Sequence, residues 1–211
     1  MSEPLRLGIS SCLLGQPVRY NGGHKYSSLC AEKLAAQVEF VSFCPEAAAG
    51  FGTPRPPMQL VGSARHPQLL LVDNPGADLR PQLEAGFRQP LEEFASLDGF
   101  ILMPRSPSCG LHEVKLHDGK GRLLQNLTSG IFASALHQRY PLLPLEQEDR
   151  LQDPAVLERF LQSARDYRQL RLLGKASSSK LGGKPPRIQK HEFALTAFCH
   201  PRSPAMRALS E

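Results

Sequence analysis

The stretch Val38–Glu46, VEFVSFCPE, decides the fold. Val38, Phe40, Val41 and Phe43 are β-branched or aromatic, the side chains that suit a pleated strand. Pro45 has no amide hydrogen for a ladder, so the strand stops at Cys44. The same device recurs on either side. Arg6–Ser11 turns apolar and runs into Cys12, and Gly99–Met103 is a short strand of the buried type closed by Pro104, with Cys109 in the following turn. Three strands therefore each lead into a thiol.

Working outward, the sequence predicts helices between these strands. Ser27–Gln37 has helical composition, and Leu79–Leu97 carries apolar positions at helical spacing, with Pro90 expected to kink or split it. Gln68–Val72 is a further apolar run. Asp118-Gly119 within Val114–Leu124 suits a hairpin. Thr128 or Ser129 is placed to cap a helix reaching about Arg139, and Leu142–Leu145 reads as a last short strand. Alternating strands and helices predict an α/β class: a single Rossmann-like domain with a mostly parallel sheet flanked by helices. We expect this domain over residues 1–153, a C-terminal helix over 154–174, and a flexible basic tail over 175–211. In open α/β sheets ligands bind beyond the C-terminal strand ends, which is where Cys12, Cys44 and Cys109 fall.

Composition narrows the function classes. No apolar run approaches the roughly 20 residues of a membrane span. The N-terminus lacks a charged region followed by an apolar one, so the expected compartment is the cytoplasm. Five widely spaced cysteines, an odd number, argue against a disulfide framework and for metal binding or catalysis. Residues 154–211 hold eleven Lys/Arg against four Asp/Glu, whereas residues 1–153 hold fourteen against sixteen. The basic charge belongs to the tail and gives no ground for nucleic-acid binding by the main domain. No feature specifies an oligomeric state.

The thiols sit in tight turns whose amides favour thiolates. Buried inert cysteine is the bland reading for any one of them. Zinc usually recruits a CxxC pair, and none exists here. A cluster held by three cysteines leaves one iron open for a soft ligand, so iron and sulfur are preferred, with zinc still open. Glu46, two residues after Cys44, is a candidate general acid or base. Ser106 and Ser108 flank Pro107 beside Cys109; either hydroxyl is a candidate to relay a proton or to hydrogen-bond a base, and Ser108 is a candidate substrate contact. Arg19, Tyr20, His24 and Lys25 surround a Gly-Gly turn and are candidate substrate contacts, as is Arg55 in the stiff segment GTPRPP. Cys30 reads as packing.

The motifs CLLGQPVRYNGGHK, CPE followed by GTPRPP, and RSPSCG, in that order, resemble the TudS-like thiouracil desulfidases over about residues 5–153. The resemblance implies a [4Fe-4S] cluster on Cys12, Cys44 and Cys109, with one open iron that takes the sulfur of a small thiopyrimidine. It also implies acid/base roles for Glu46 and a serine of SPSC, Ser106 in the first place. Where many relatives carry lysine two places before the arginine of RSPSCG, this chain has Met103. Arg150–Leu173 resembles the junction to a larger helical extension, here in truncated form. Two other readings stand beside the desulfidase: a non-catalytic iron–sulfur or metal sensor, and a zinc-dependent hydrolase.

Overall fold

The computed structural model describes residues 3–180. Strands β1 (Leu5–Ser10), β2 (Val38–Phe43), β5 (Gly99–Leu102) and β8 (Leu145–Gln147) form one four-stranded sheet in the order β2-β1-β5-β8. Every pairing in it is parallel, with Leu7 opposite both Phe40 and Gly99. The expected parallel α/β sheet is present. A second sheet of β3 (Met58–Gly62), β4 (Pro67–Leu71), β6 (Val114–His117) and β7 (Leu123–Thr128) has the order β4-β3-β6-β7. Here β3 and β6 run parallel, while β3–β4 and β6–β7 are antiparallel hairpins.

The parallel sheet is apolar on both faces, as its crossover connections require. Successive side chains of β5 point to opposite sides. Phe100 and Leu102 join Phe87, Phe94, Phe132 and the inner residues Leu60 and Leu69 of the second sheet. Ile101 joins Leu7, Ile9, Leu13 and Cys30 on the other face, where Phe160, Leu161 and Ala164 of the C-terminal helix close the core. Gly8 is required beside this seam, because a Cβ there would overlap the Phe100 ring.

Among the described residues, α1 (Pro45–Ala48), α2 (Arg80–Glu93) and α3 (Ile131–Arg139) lie between strands, and α4 (Pro154–Lys180) follows the last strand. Several expectations shift. The predicted helix over Ser27–Gln37 is a shorter π-helical segment, Leu29–Leu34, in which the Ala35 amide reaches the Cys30 carbonyl at 3.1 Å. Pro90 does not split α2, which passes through it and tightens into a 3₁₀ turn at Phe94–Ser96. Burial of Leu83, Phe87 and Phe94 holds that path, since tertiary packing outweighs propensity. The last strand forms at Leu145–Gln147 rather than Leu142–Leu145, because Leu145 to Gln147 pair with Phe100 to Leu102. Strand β3 and helix α1 carry no periodicity long enough to be read in advance.

Helix α4 packs through Gly174 as part of the main compact unit. Asp98, 1% exposed, accepts the Arg6 amide at 2.8 Å and Arg171 Nη2 at 2.7 Å. Arg168 reaches the Glu3 and Pro4 carbonyls at 2.8 and 2.9 Å. The tail expected from residue 175 begins within α4, and residues 181–211, with Cys199, lie outside the described residues. No helix among the described residues is long and apolar enough to cross a membrane.

Candidate active site

Strands β2, β1 and β5 are neighbours, so their C-terminal ends share one edge of the sheet. Cys44 follows β2 directly, Cys12 lies in a 3₁₀ turn at Ser11–Leu14 just after β1, and Cys109 lies in the loop after β5. All three line one cavity of about 400 Å³, together with Glu46 and Ser106. Among the described residues, no three His, Cys, Asp or Glu side chains gather tightly enough to share a single metal ion.

Each thiol is anchored by its backbone. The Cys12 carbonyl accepts the Gly15 amide at 3.3 Å and the Lys25 amide at 2.9 Å, and Gly15 closes that turn at φ +86°. Cys44 caps α1 with Pro45 at the first helical position, where proline's missing donor costs nothing. Ser106 Oγ accepts the amides of Ser108 at 3.2 Å and Cys109 at 3.1 Å, which folds the SPSC segment into a compact turn. Gly130 lies against that turn with no room for a Cβ, which would stand 2.5 Å from the Ser108 carbonyl oxygen. Beyond Gly110, whose amide returns to Ser106 O, Gln147 Oε1 takes the Leu111 and His112 amides at 3.0 and 3.1 Å.

Burial lifts all three thiols above 9.0. Cys12 is pushed to about 11, first by burial and then by the charge of Cys44, against which Arg19 acts. Cys44 is raised by burial, with the Ala47 amide opposing. Cys109 is raised most strongly, by burial and then by Cys44, Glu46 and Cys12, while the Ser10 hydroxyl lowers it. Thiols that feel one another face a common space, and three soft sulfur donors around one cavity fit an iron–sulfur group.

Glu46 projects from α1 into the same cavity and is held at both oxygens. Its Oε1 accepts the Ser108 hydroxyl at 2.7 Å, and its Oε2 accepts Arg55 Nε at 2.9 Å and Nη2. Ser108, read from sequence as a substrate contact, is fully buried with its hydroxyl on Glu46 and is not part of the cavity lining, unlike Ser106. Arg55, read from sequence as a substrate contact, lines the cavity but has all five N–H groups engaged, the rest by Gly52 O, Thr53 Oγ1 and Val18 O. Arg19, Tyr20 and Lys25 line the cavity, with the Arg19 guanidinium 5.6 Å from the Tyr20 ring. His24 does not line it, and its Nδ1 accepts the Tyr26 amide at 3.2 Å.

Sequence reasoning missed Ser10, Ser11 and Arg105, which also line the cavity. Ser10 Oγ accepts the Met103 amide at 3.0 Å and so links β1 to the loop that carries Cys109. Its signal was its place at the end of β1, two residues before Cys12. Arg105 adopts φ +57° and pairs with Asp149 at 3.5 Å, a conformation no spacing rule announces.

The chain is similar in fold and sequence to known proteins. The solved structure of the [4Fe-4S]-dependent thiouracil desulfidase TudS aligns with a TM-score of 0.56 and 29% identity, over 74% of this chain and 97% of that one. Protein YbbK of Bacillus subtilis (strain 168), described as uncharacterized, is 32% identical over 136 residues, 62% of this chain and 88% of its own. The 2-thiouracil desulfurase family matches residues 7–148, a span that takes in all three cysteines, Glu46 and both SPSC serines. The chain belongs to the 2-thiouracil desulfurase family.

Proposed function

We propose that this protein is a [4Fe-4S]-dependent desulfidase that converts a thiolated pyrimidine to the oxo base and sulfide. One observation carries the reading: three cysteines from adjacent strand ends line a cavity that also holds a doubly anchored carboxylate and a serine. Each thiolate of a cluster binds its own iron, so Cys12, Cys44 and Cys109 need not meet at one point. When bound, the cluster would supply an iron without a protein ligand as a soft Lewis acid for the thiocarbonyl sulfur. The TudS relative is [4Fe-4S]-dependent, which supports this cofactor.

The protein's own groups supply the proton chemistry. The conversion C=S + H₂O → C=O + H₂S needs no electrons, only proton transfers around the carbon that exchanges sulfur for oxygen. Glu46 takes a proton from the attacking water, its carboxylate kept in place by Arg55 and Ser108. Ser106 Oγ accepts two amides, so its own hydrogen is left to donate to the substrate. Arg19, Lys25 and Arg105 add positive charge to the lining, which suits the phosphate of a 4-thiouridine nucleotide over the free base. The described cysteines are all free, in keeping with work in the reducing cytoplasm.

The test is sulfide release under anaerobic conditions from 2-thiouracil, 4-thiouracil, 4-thiouridine and its 5′-monophosphate, with iron and acid-labile sulfide assayed in the same sample. Turnover is expected for at least one compound, highest for the nucleotide, and abolished in Cys109→Ala. Undiminished turnover in Cys109→Ala, or a preparation holding zinc and no iron, would remove the proposed centre.

A further inference from the structure

We infer that Arg55 is a positioning residue that aims the Glu46 carboxylate, and that Oε1 is the oxygen left to exchange a proton. This rests on Glu46 acting as the acid/base group. Arg55 is the meeting point of three chain segments. Its side chain, 5% exposed, binds Glu46 Oε2 through Nε and Nη2. Its Nη1 reaches Gly52 O at 2.7 Å and Thr53 Oγ1 at 3.3 Å, and its Nη2 reaches Val18 O at 2.9 Å. Its own amide donates to Tyr20 O at 2.7 Å. The first loop, the start of α1 and the segment after it are thereby tied at one guanidinium.

Counting donors and lone pairs shows what this leaves. Guanidinium has five N–H groups, and all five are used within the protein, so none remains for a substrate. Carboxylate oxygen accepts about two hydrogen bonds. Oε2 is filled by the two from Arg55, whereas among the described residues Oε1 takes only the Ser108 hydroxyl, which leaves one site free. A planar fork held at three other points fixes direction as well as charge, which an ammonium cannot do.

Arg55→Lys retains the charge and loses the fork. The expected result is a kcat lowered roughly 10- to 100-fold with KM changed less than about threefold, as for a misaimed group rather than a lost substrate contact. Iron and sulfide content and thermal midpoint are measured on the same protein. In a double-mutant cycle the Arg55→Lys penalty should largely vanish in a Glu46→Gln background, because the residue it positions is already disabled. Thr53→Val, which frees one bond only, carries the same test at a smaller kcat loss should Arg55→Lys fail to fold. A raised KM at unchanged kcat overturns the inference, and so does an equal penalty with and without Glu46. Full activity in Glu46→Gln alone instead overturns the acid/base reading itself, whatever Arg55 does.

Discussion

Cys30 and Ser106 show how local surroundings decide a residue's part. Cys30 is fully buried, and burial lifts its thiol from 9.0 to about 11, the Ser27 hydroxyl opposing and Glu148 adding to the rise. The folded protein therefore holds this proton more tightly than the unfolded chain. Its contribution to stability is complete below pH 9.0 and is lost as pH climbs through about 11, a span worth about 3 kcal/mol. Urea unfolding at stepped pH should show the wild type weakening across that window and Cys30→Ala weakening less. Ser106 answers to geometry instead. Ser106→Ala removes the hydrogen offered to substrate and the cap on two amides, so kcat should fall about 100-fold while iron content holds. A kinetic assay at saturating substrate checks this, and an unchanged kcat would take Ser106 out of the proton path.

At the scale of elements, α1 is too short to hold its own shape, yet it carries Glu46. Helix α2 supplies the support: Gln82 Nε2 donates to Ala49 O at 2.8 Å, and Gly86 lets the two backbones touch. On an open helix Gly→Ala gains about 1 kcal/mol. Here the added Cβ would stand 2.5 Å from Ala49 Cα and N. Gly86→Ala should therefore lower stability by about 1–3 kcal/mol, or roughly 2–10 °C in Tm, and depress kcat by displacing α1. Calorimetry with a parallel activity assay decides it, and a rise in Tm would show that α1 yields freely. The short elements that the sequence did not reveal, α1 and β3, are those whose order comes from such neighbours. Strands β1 (LRLGIS) and β2 (VEFVSF) were legible because their own residue pattern and the cysteine turns after them specify them.

For the whole molecule, the cover on one face of the parallel sheet comes from the far end of the chain. Phe160, Leu161 and Ala164 of α4 complete the core over Leu7, Ile9 and Ile101, and Asp98 locks the helix by its Arg171 pair. Removing one partner of a buried pair leaves the other uncompensated, so Asp98→Ala should cost about 3–5 kcal/mol. Thermal unfolding of that variant reads the loss, and a Tm within a degree of wild type would show that α4 is held by its apolar face alone. Sequence by itself determined the three cysteines, their places after strands, and the motifs around them, because strand propensity and proline stops are local properties. Parallel pairing then brought Cys12, Cys44 and Cys109 to one edge, an outcome the α/β pattern already implied. Only the tertiary structure decided that Arg55 turns inward to Glu46, that Ser108 is buried while Ser106 faces the cavity, and that His24 stands apart. Those assignments depend on carbonyls and carboxylates that meet across tens of residues, such as Val18 with Arg55 and Glu46 with Ser108. A hydrogen bond formed between distant segments leaves no periodicity in the chain, so its partners are set by folding rather than by spacing.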